Sequence, residues 1–197
     1  MSYLKELWLR TVIRGAHYRQ RNRRLAALYW MRDPWGMESP RETYRFDQTN
    51  RIIKEHFGQV DRMLEVGCGE GHQSAHLLEI CRTLYGIDVS HRAVLRAKRR
   101  CPSGIFGKGD IFTAKILEGT PRFDLVVACE VLYYMENIPA VLNRISQIGS
   151  ACFVTYYGVQ RERLDPHFAK LNDSQKATIG LQDTVWKAVW WRGGLSV

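Results

Sequence analysis

The 197-residue chain has no apolar run approaching the roughly 18 to 20 residues that a membrane-spanning helix requires. Nor does its start show the apolar stretch and small-residue cleavage site of a secretory leader, so a cytoplasmic setting is the expectation. The five cysteines, Cys68, Cys81, Cys101, Cys129 and Cys152, form no C-x-x-C pair and no Cys/His cluster at zinc spacing. Reduced, mostly buried thiols and no metal are expected. Internal repeats and low-complexity tracts are missing, which excludes solenoid and disordered-linker architectures. Acidic residues are scarce in one place: residues 1–32 hold eight Lys or Arg against Glu6 alone, so most of the net charge of +9 sits there. That excess fits either a solvated helix face or an anionic partner such as RNA or a membrane surface.

What is present is an ordinary globular composition, 45% apolar and 25% charged, at a length suited to one domain with an extension. From residue 61 onward short apolar runs alternate with amphipathic ones, the pattern of a Rossmann-like α/β fold with a parallel sheet flanked by helices. The predicted strands are Arg62–Val66, Thr83–Asp88, a weak one near Ile105–Phe106, Phe123–Cys129, Ala151–Tyr157 and Val185–Trp191. Predicted helices are His72–Glu79, Arg92–Arg100, capped by Ser90, and Ile138–Ile145. Upstream, helices are expected over Leu4–Arg14, Arg21–Met31 and Arg41–Phe57, the last opening after Ser39 with Pro40 in its first turn. The division is therefore an N-terminal helical extension and lid over 1–58 and a sheet domain over 59–197.

The stretch Met63-Leu64-Glu65-Val66-Gly67-Cys68-Gly69-Glu70-Gly71 places three glycines between a strand and a helix. Bare backbone there lets N–H groups and a helix N-terminus come close to a ligand. The spacing is G-x-G-x-G rather than the G-x-G-x-x-G of dinucleotide sites, and Glu65 ahead of it would repel a diphosphate but suits a cationic group. Asp88 ends the second strand, where a carboxylate can take both hydroxyls of a ribose. Asp110, beside Ile111, is placed to accept from an adenine amino group while Ile111 covers the ring. Glu130, followed by Tyr133 and Tyr134, ends the apolar strand Phe123–Cys129. Each acid has a plain alternative as a strand-edge residue, helix cap or turn former.

Taken in order, these residues resemble the class I S-adenosylmethionine-dependent methyltransferases over about residues 60–157. The resemblance implies a methyltransferase that uses S-adenosyl-L-methionine and releases S-adenosyl-L-homocysteine. It implies that Glu65 and the turn Gly67, Cys68, Gly69 and Gly71 hold the methionine end, Asp88 with Val89 the ribose, and Asp110 with Ile111 the adenine. That family's sheet has seven strands, and the Arg-Gly-Gly-Leu-Ser-Val tail after Trp191 is too short for another. A truncated last strand is thus expected, with Trp186, Trp190 and Trp191 as core residues or as a partner or homo-oligomer surface at an open sheet edge.

The acceptor is less legible. Cys129-Glu130-Val131-Leu132 stands where an Asn-Pro-Pro-Tyr or Asp-Pro-Pro-Tyr tetrad would mark planar amines. The segment Asp33-Pro34-Trp35-Gly36 through Tyr44-Arg45-Phe46 looks like the lead-in of the nodulation-protein-S type methyltransferases, which would imply N-methylation of a deacetylated amino sugar at the non-reducing end of a chito-oligosaccharide. Trp35, Tyr44 and Phe46 are then candidates to cover the cofactor, or simply to dock their helix. An amine acceptor needs alignment and removal of one proton. Glu130, Tyr133 and Tyr134 are the candidate catalytic residues, with Tyr156, Tyr157, His72 and His167 behind them. The leading reading is therefore a small-molecule amine methyltransferase. An RNA or protein methyltransferase using the basic extension stands second, and a non-catalytic cofactor-binding activator subunit third.

Overall fold

The computed structural model describes residues 18–193, so the expected helix over 4–14 lies outside the described residues. Helix α1, Tyr18–Leu28, and helix α2, Pro40–Phe57, precede β1, Val60–Val66. The chain then alternates: α3 His72–Leu77, β2 Cys81–Asp88, α4 His91–Arg100, β3 Ile105–Lys108, β4 Phe123–Cys129, α5 Ile138–Ile148 and β5 Gly149–Tyr157. It closes with α6 Arg161–Phe168, β6 Gln175–Leu181 and β7 Thr184–Arg192.

The seven strands lie in the order β3-β2-β1-β4-β5-β7-β6. The first five are mutually parallel, and β7 runs antiparallel between β5 and β6. Alternation along the strands sends side chains to two cores, as a sheet covered on both faces requires. Met63, Leu125, Val127, Phe153 and Trp190 join one cluster, while Leu64, Val126, Ala128, Val154 and Trp191 join the other.

The expected truncation is not found. The sequence reading missed β6, which completes the sheet edge beyond β7. Its stretch Gln175-Lys176-Ala177-Thr178 is largely exposed, as an edge strand's outer face should be, and so carries little apolar signal. The hairpin turn is Gln182-Asp183, with Gln182 at φ 51°, where a glycine or asparagine would have announced it. Trp186, Trp190 and Trp191 are buried, so of the two expectations for them it is core packing, and not a partner surface, that the fold shows. The Trp190 indole donates to Gln175 Oε1 at 3.1 Å and that of Trp191 to Ser146 Oγ at 2.9 Å. Helix α6 also went unread, because Pro166 lies inside it.

Candidate active site

The carboxyl ends of β1, β2, β3 and β4 open onto one cavity of about 760 Å³. It lies where strand order reverses between β1 and β4, the crevice in which open α/β sheets bind ligands. Helix α1 contributes Asn22 and Leu25 to its wall, the turn after it Tyr29, and α2 contributes Arg41, Glu42 and Arg45.

The glycine turn is shaped by contacts as well as by the ligand space. Gly67, Gly69 and Gly71 all have positive φ, at 78°, 53° and 82°. A Cβ on Gly71 would sit 3.0 Å from the Ala97 Cα of α4, and one on Gly69 would sit 3.0 Å from the Tyr29 hydroxyl. Gly67 and Gly69 line the cavity with Glu65, Asp88, Val89, Asp110, Ile111, Glu130, Tyr133, Tyr134 and Trp35. Three of the expected cofactor residues do not. Cys68 is buried with its thiol turned to the Gly69 carbonyl, Gly71 packs on α4, and Tyr44 is partly buried against the core on the α2 side.

Glu65 is buried and accepts from the Ser74 hydroxyl at the start of α3. Burial pushes its carboxyl up to about 7, over the opposing pull of Ser74 and of the Arg45 guanidinium. Asp88 accepts backbone N–H groups from Ser90 at 2.8 Å and Gly69 at 3.1 Å, and burial raises it to about 6 despite both bonds. Asp110 closes its own turn, accepting from Phe112 N–H at 3.0 Å and Thr113 Oγ1 at 2.8 Å, while Ile111 is buried beside it.

Glu130 follows β4 with φ 56°, a strained value for a residue with a side chain. That turn carries its carboxylate back between two hydroxyl donors, Tyr133 and Thr155, each at 3.1 Å. Burial raises Glu130 above the ordinary carboxylate range. The Tyr133 hydroxyl, buried beside that carboxylate, is pushed well up and therefore keeps its proton and donates. Arg163 of α6 fixes this segment from outside, donating to the carbonyls of Tyr133 at 2.8 Å and Met135 at 2.9 Å.

The residues that sequence reasoning missed sit on α2 and α3. Arg45 is buried, donating to Glu42 Oε2 and to Gln73 Oε1, both at 2.8 Å. Burial works against its charge, but the carboxylates of Glu130 and Glu42 outweigh that and raise its pKa. Gln73 lines the cavity, and its Nε2 is a buried donor with no partner among the described residues. A buried donor left over is costly unless a ligand acceptor uses it. The signal was available in part: 42, 45, 46, 49, 50 and 53 recur at helical spacing, and all are buried.

Above the cavity the segment after α1 is tied to the sheet domain. Glu70 accepts from Arg96 and, at 3.0 Å, from the Asp33 N–H; Arg96 also donates to the Met31 carbonyl at 2.8 Å. Arg100 donates to Glu38 at 3.0 Å and to His72 Nε2 at 2.8 Å. Trp35 donates to the Tyr29 hydroxyl at 3.1 Å and lies 5.4 Å from Tyr134, which lies 4.6 Å from Tyr133. An aromatic arch thus runs from α1 to Glu130. Of the secondary candidates, His72 and Tyr157 line the cavity; His167 and the buried Tyr156, which donates to Asp165, do not.

The donor set fits S-adenosylmethionine better than a diphosphate. Two buried carboxylates, raised by desolvation, favour a ligand with a cationic end and hydroxyl donors, and the orphaned Gln73 amide offers a donor to an acceptor on the same ligand. In the order of its sheet and in the acids at its strand ends, the chain is similar to the class I S-adenosylmethionine-dependent methyltransferases. A methyltransferase-domain family matches residues 64–148. Nodulation protein S of Sinorhizobium fredii is 30% identical over 135 residues, 68% of this chain and 60% of that protein. Its counterpart in Bradyrhizobium diazoefficiens is 32% identical over 124 residues, 59% of this chain and 58% of that protein. The chain thus spans less than two thirds of the curated relatives it matches. In fold it is similar to the crystal structure of N-methyltransferase NodS from Bradyrhizobium japonicum in complex with S-adenosyl-L-homocysteine, with a TM-score of 0.74 and 22% identity over 88% of this chain and 98% of that one.

Proposed function

We propose that this chain transfers a methyl group from S-adenosylmethionine to the amine of a small-molecule acceptor, an amino sugar or its oligosaccharide. The observation that carries the reading is the convergence of Glu65, Asp88 and Glu130, all buried, on one cavity behind the G-x-G-x-G turn. That the similar solved structure is of an N-methyltransferase supports nitrogen as the accepting atom.

In this reading Glu65 and Gln73 hold the amino-acid end of the cofactor, Asp88 with Val89 its ribose, and Asp110 with Ile111 its adenine. The sulfonium supplies an electrophilic methyl group, so the protein's share of the chemistry is alignment and control of one proton. Glu130 is the candidate base. Its raised pKa suits removal of a proton from an alkylammonium, and Tyr133 and Thr155 keep both of its oxygens oriented. Tyr134, between Tyr133 and Trp35, forms the acceptor wall with Tyr157 and Trp186. The helices before residue 58 act as lid, supported by the Glu70 and Arg100 ties. Free cysteines and the lack of any described helix able to cross a membrane suit a cytoplasmic setting.

Titration calorimetry with S-adenosylhomocysteine tests the site: Asp88→Ala should abolish most of the affinity. Unchanged binding would sink the ribose assignment.

A further inference from the structure

Of the basic residues noted before residue 33, the described Arg23, Arg24 and Arg32 do not line the cavity, and a second basic element lies beside α1. Helices α1 and α4 pack side by side, and neither span contains an acidic residue. On α4, Arg96 is turned to Glu70 and Arg100 to Glu38, but Arg92, Leu95 and Arg99 recur at helical spacing and are exposed. In the segment just after α1, Trp30 is 70% exposed and Met31 41%, and Leu95 of α4 is 40% exposed. The Arg92 guanidinium lies 3.5 Å from the centre of the Trp30 ring, and Arg32 is exposed on the following turn.

We infer that this face docks on an anionic membrane surface. Three exposed apolar side chains, one an indole, ringed by arginines and free of acids on both helices, have the composition of an interfacial contact: the apolar groups enter the headgroup boundary and the cations meet lipid phosphates. A nucleic acid would answer the charge equally well, but it has no use for the aliphatic Met31 and Leu95. Arg92 also covers a face of the indole on which a base would stack. Leu25 of α1, and Tyr29 just after it, line the cavity. Docking therefore engages a helix that the ligand site also uses, without using the ligand residues. The charge and apolar area are modest, so the contact is weak and reversible.

The test is sedimentation of the full chain with vesicles of phosphatidylglycerol in phosphatidylcholine, against phosphatidylcholine alone. The chain should partition onto the anionic vesicles only and be released as salt is raised. Arg92→Gln and Arg99→Gln should each lower partitioning by roughly fivefold, and Trp30→Ala by at least as much, while S-adenosylhomocysteine affinity and far-ultraviolet dichroism stay unchanged. No partitioning at low salt overturns the proposal. So does partitioning that ignores all three substitutions. Binding to a duplex or single-stranded RNA that the same substitutions weaken, with vesicles left unbound, would reassign the face to nucleic acid.

Discussion

Glu65 gives the sharpest quantitative handle on the site. Burial holds its carboxyl at about 7 when no ligand cation is beside it, whereas an ammonium group at that position favours the ionised form. Binding below about pH 7 must then expel a proton, and affinity should fall by about tenfold for each pH step. Between pH 7 and pH 5 the loss is roughly a hundredfold, about 2.7 kcal/mol. Asp88, at about 6, adds a second and later step. The assay is calorimetry with S-adenosylhomocysteine from pH 8 to pH 5, in buffers of contrasting ionisation enthalpy so that proton release is counted directly. Glu65→Gln keeps an oxygen to accept from Ser74 but has no charge to lose, so its affinity should be low throughout and its profile should lack the step near 7. An affinity flat from pH 8 to pH 5, or a Glu65→Gln profile identical to the parent's, would refute the reasoning.

Other predictions concern stability and turnover. Because the folded pKa of Glu65 lies above its unfolded value, its protonation contributes stability that is complete below about 4.5 and lost as pH rises through about 7. Ligand-free protein should therefore lose up to about 3 kcal/mol from this group across that range, read as a melting temperature that falls with pH and is restored by S-adenosylhomocysteine. Glu130→Gln should cut turnover more than cofactor binding, and turnover that survives intact would make Glu130 structural. Gly71→Ala forces a side chain to φ 82° against the backbone of α4, and should destabilise by about 2 kcal/mol or more in denaturant unfolding.

The parallel half of the sheet was legible because buried strands read as apolar runs: Phe123–Cys129 was expected and is β4 to the residue. The acids were legible because each ends a strand or follows a strand end, where topology brings separate stretches together. What failed to show was carried by polar residues in buried places. Arg45 and Glu42 look like a solvated helix surface until their helical spacing is set beside that of Phe46 and Ile53, and Gln73 lies on a six-residue helix too short to show a periodicity. Cys68, Gly71 and Tyr44 were read as cofactor contacts from their neighbourhood in sequence, yet the Cys68 thiol turns to the Gly69 carbonyl, Gly71 packs on α4 and Tyr44 packs on the core. The β6–β7 hairpin lay hidden behind an exposed edge strand and a turn made by Gln182.

Transfer of a methyl group to an amine held beside Glu130 is the activity to be tested. The direct measurement is mass spectrometry of a deacetylated chito-oligosaccharide and its fully acetylated counterpart after incubation with the chain and S-adenosylmethionine. One added methyl group is expected on the deacetylated sugar, at nitrogen, none on the acetylated one, and none with Asp88→Ala. Methylation of both sugars alike, or of neither by a chain that binds S-adenosylhomocysteine, would contradict it.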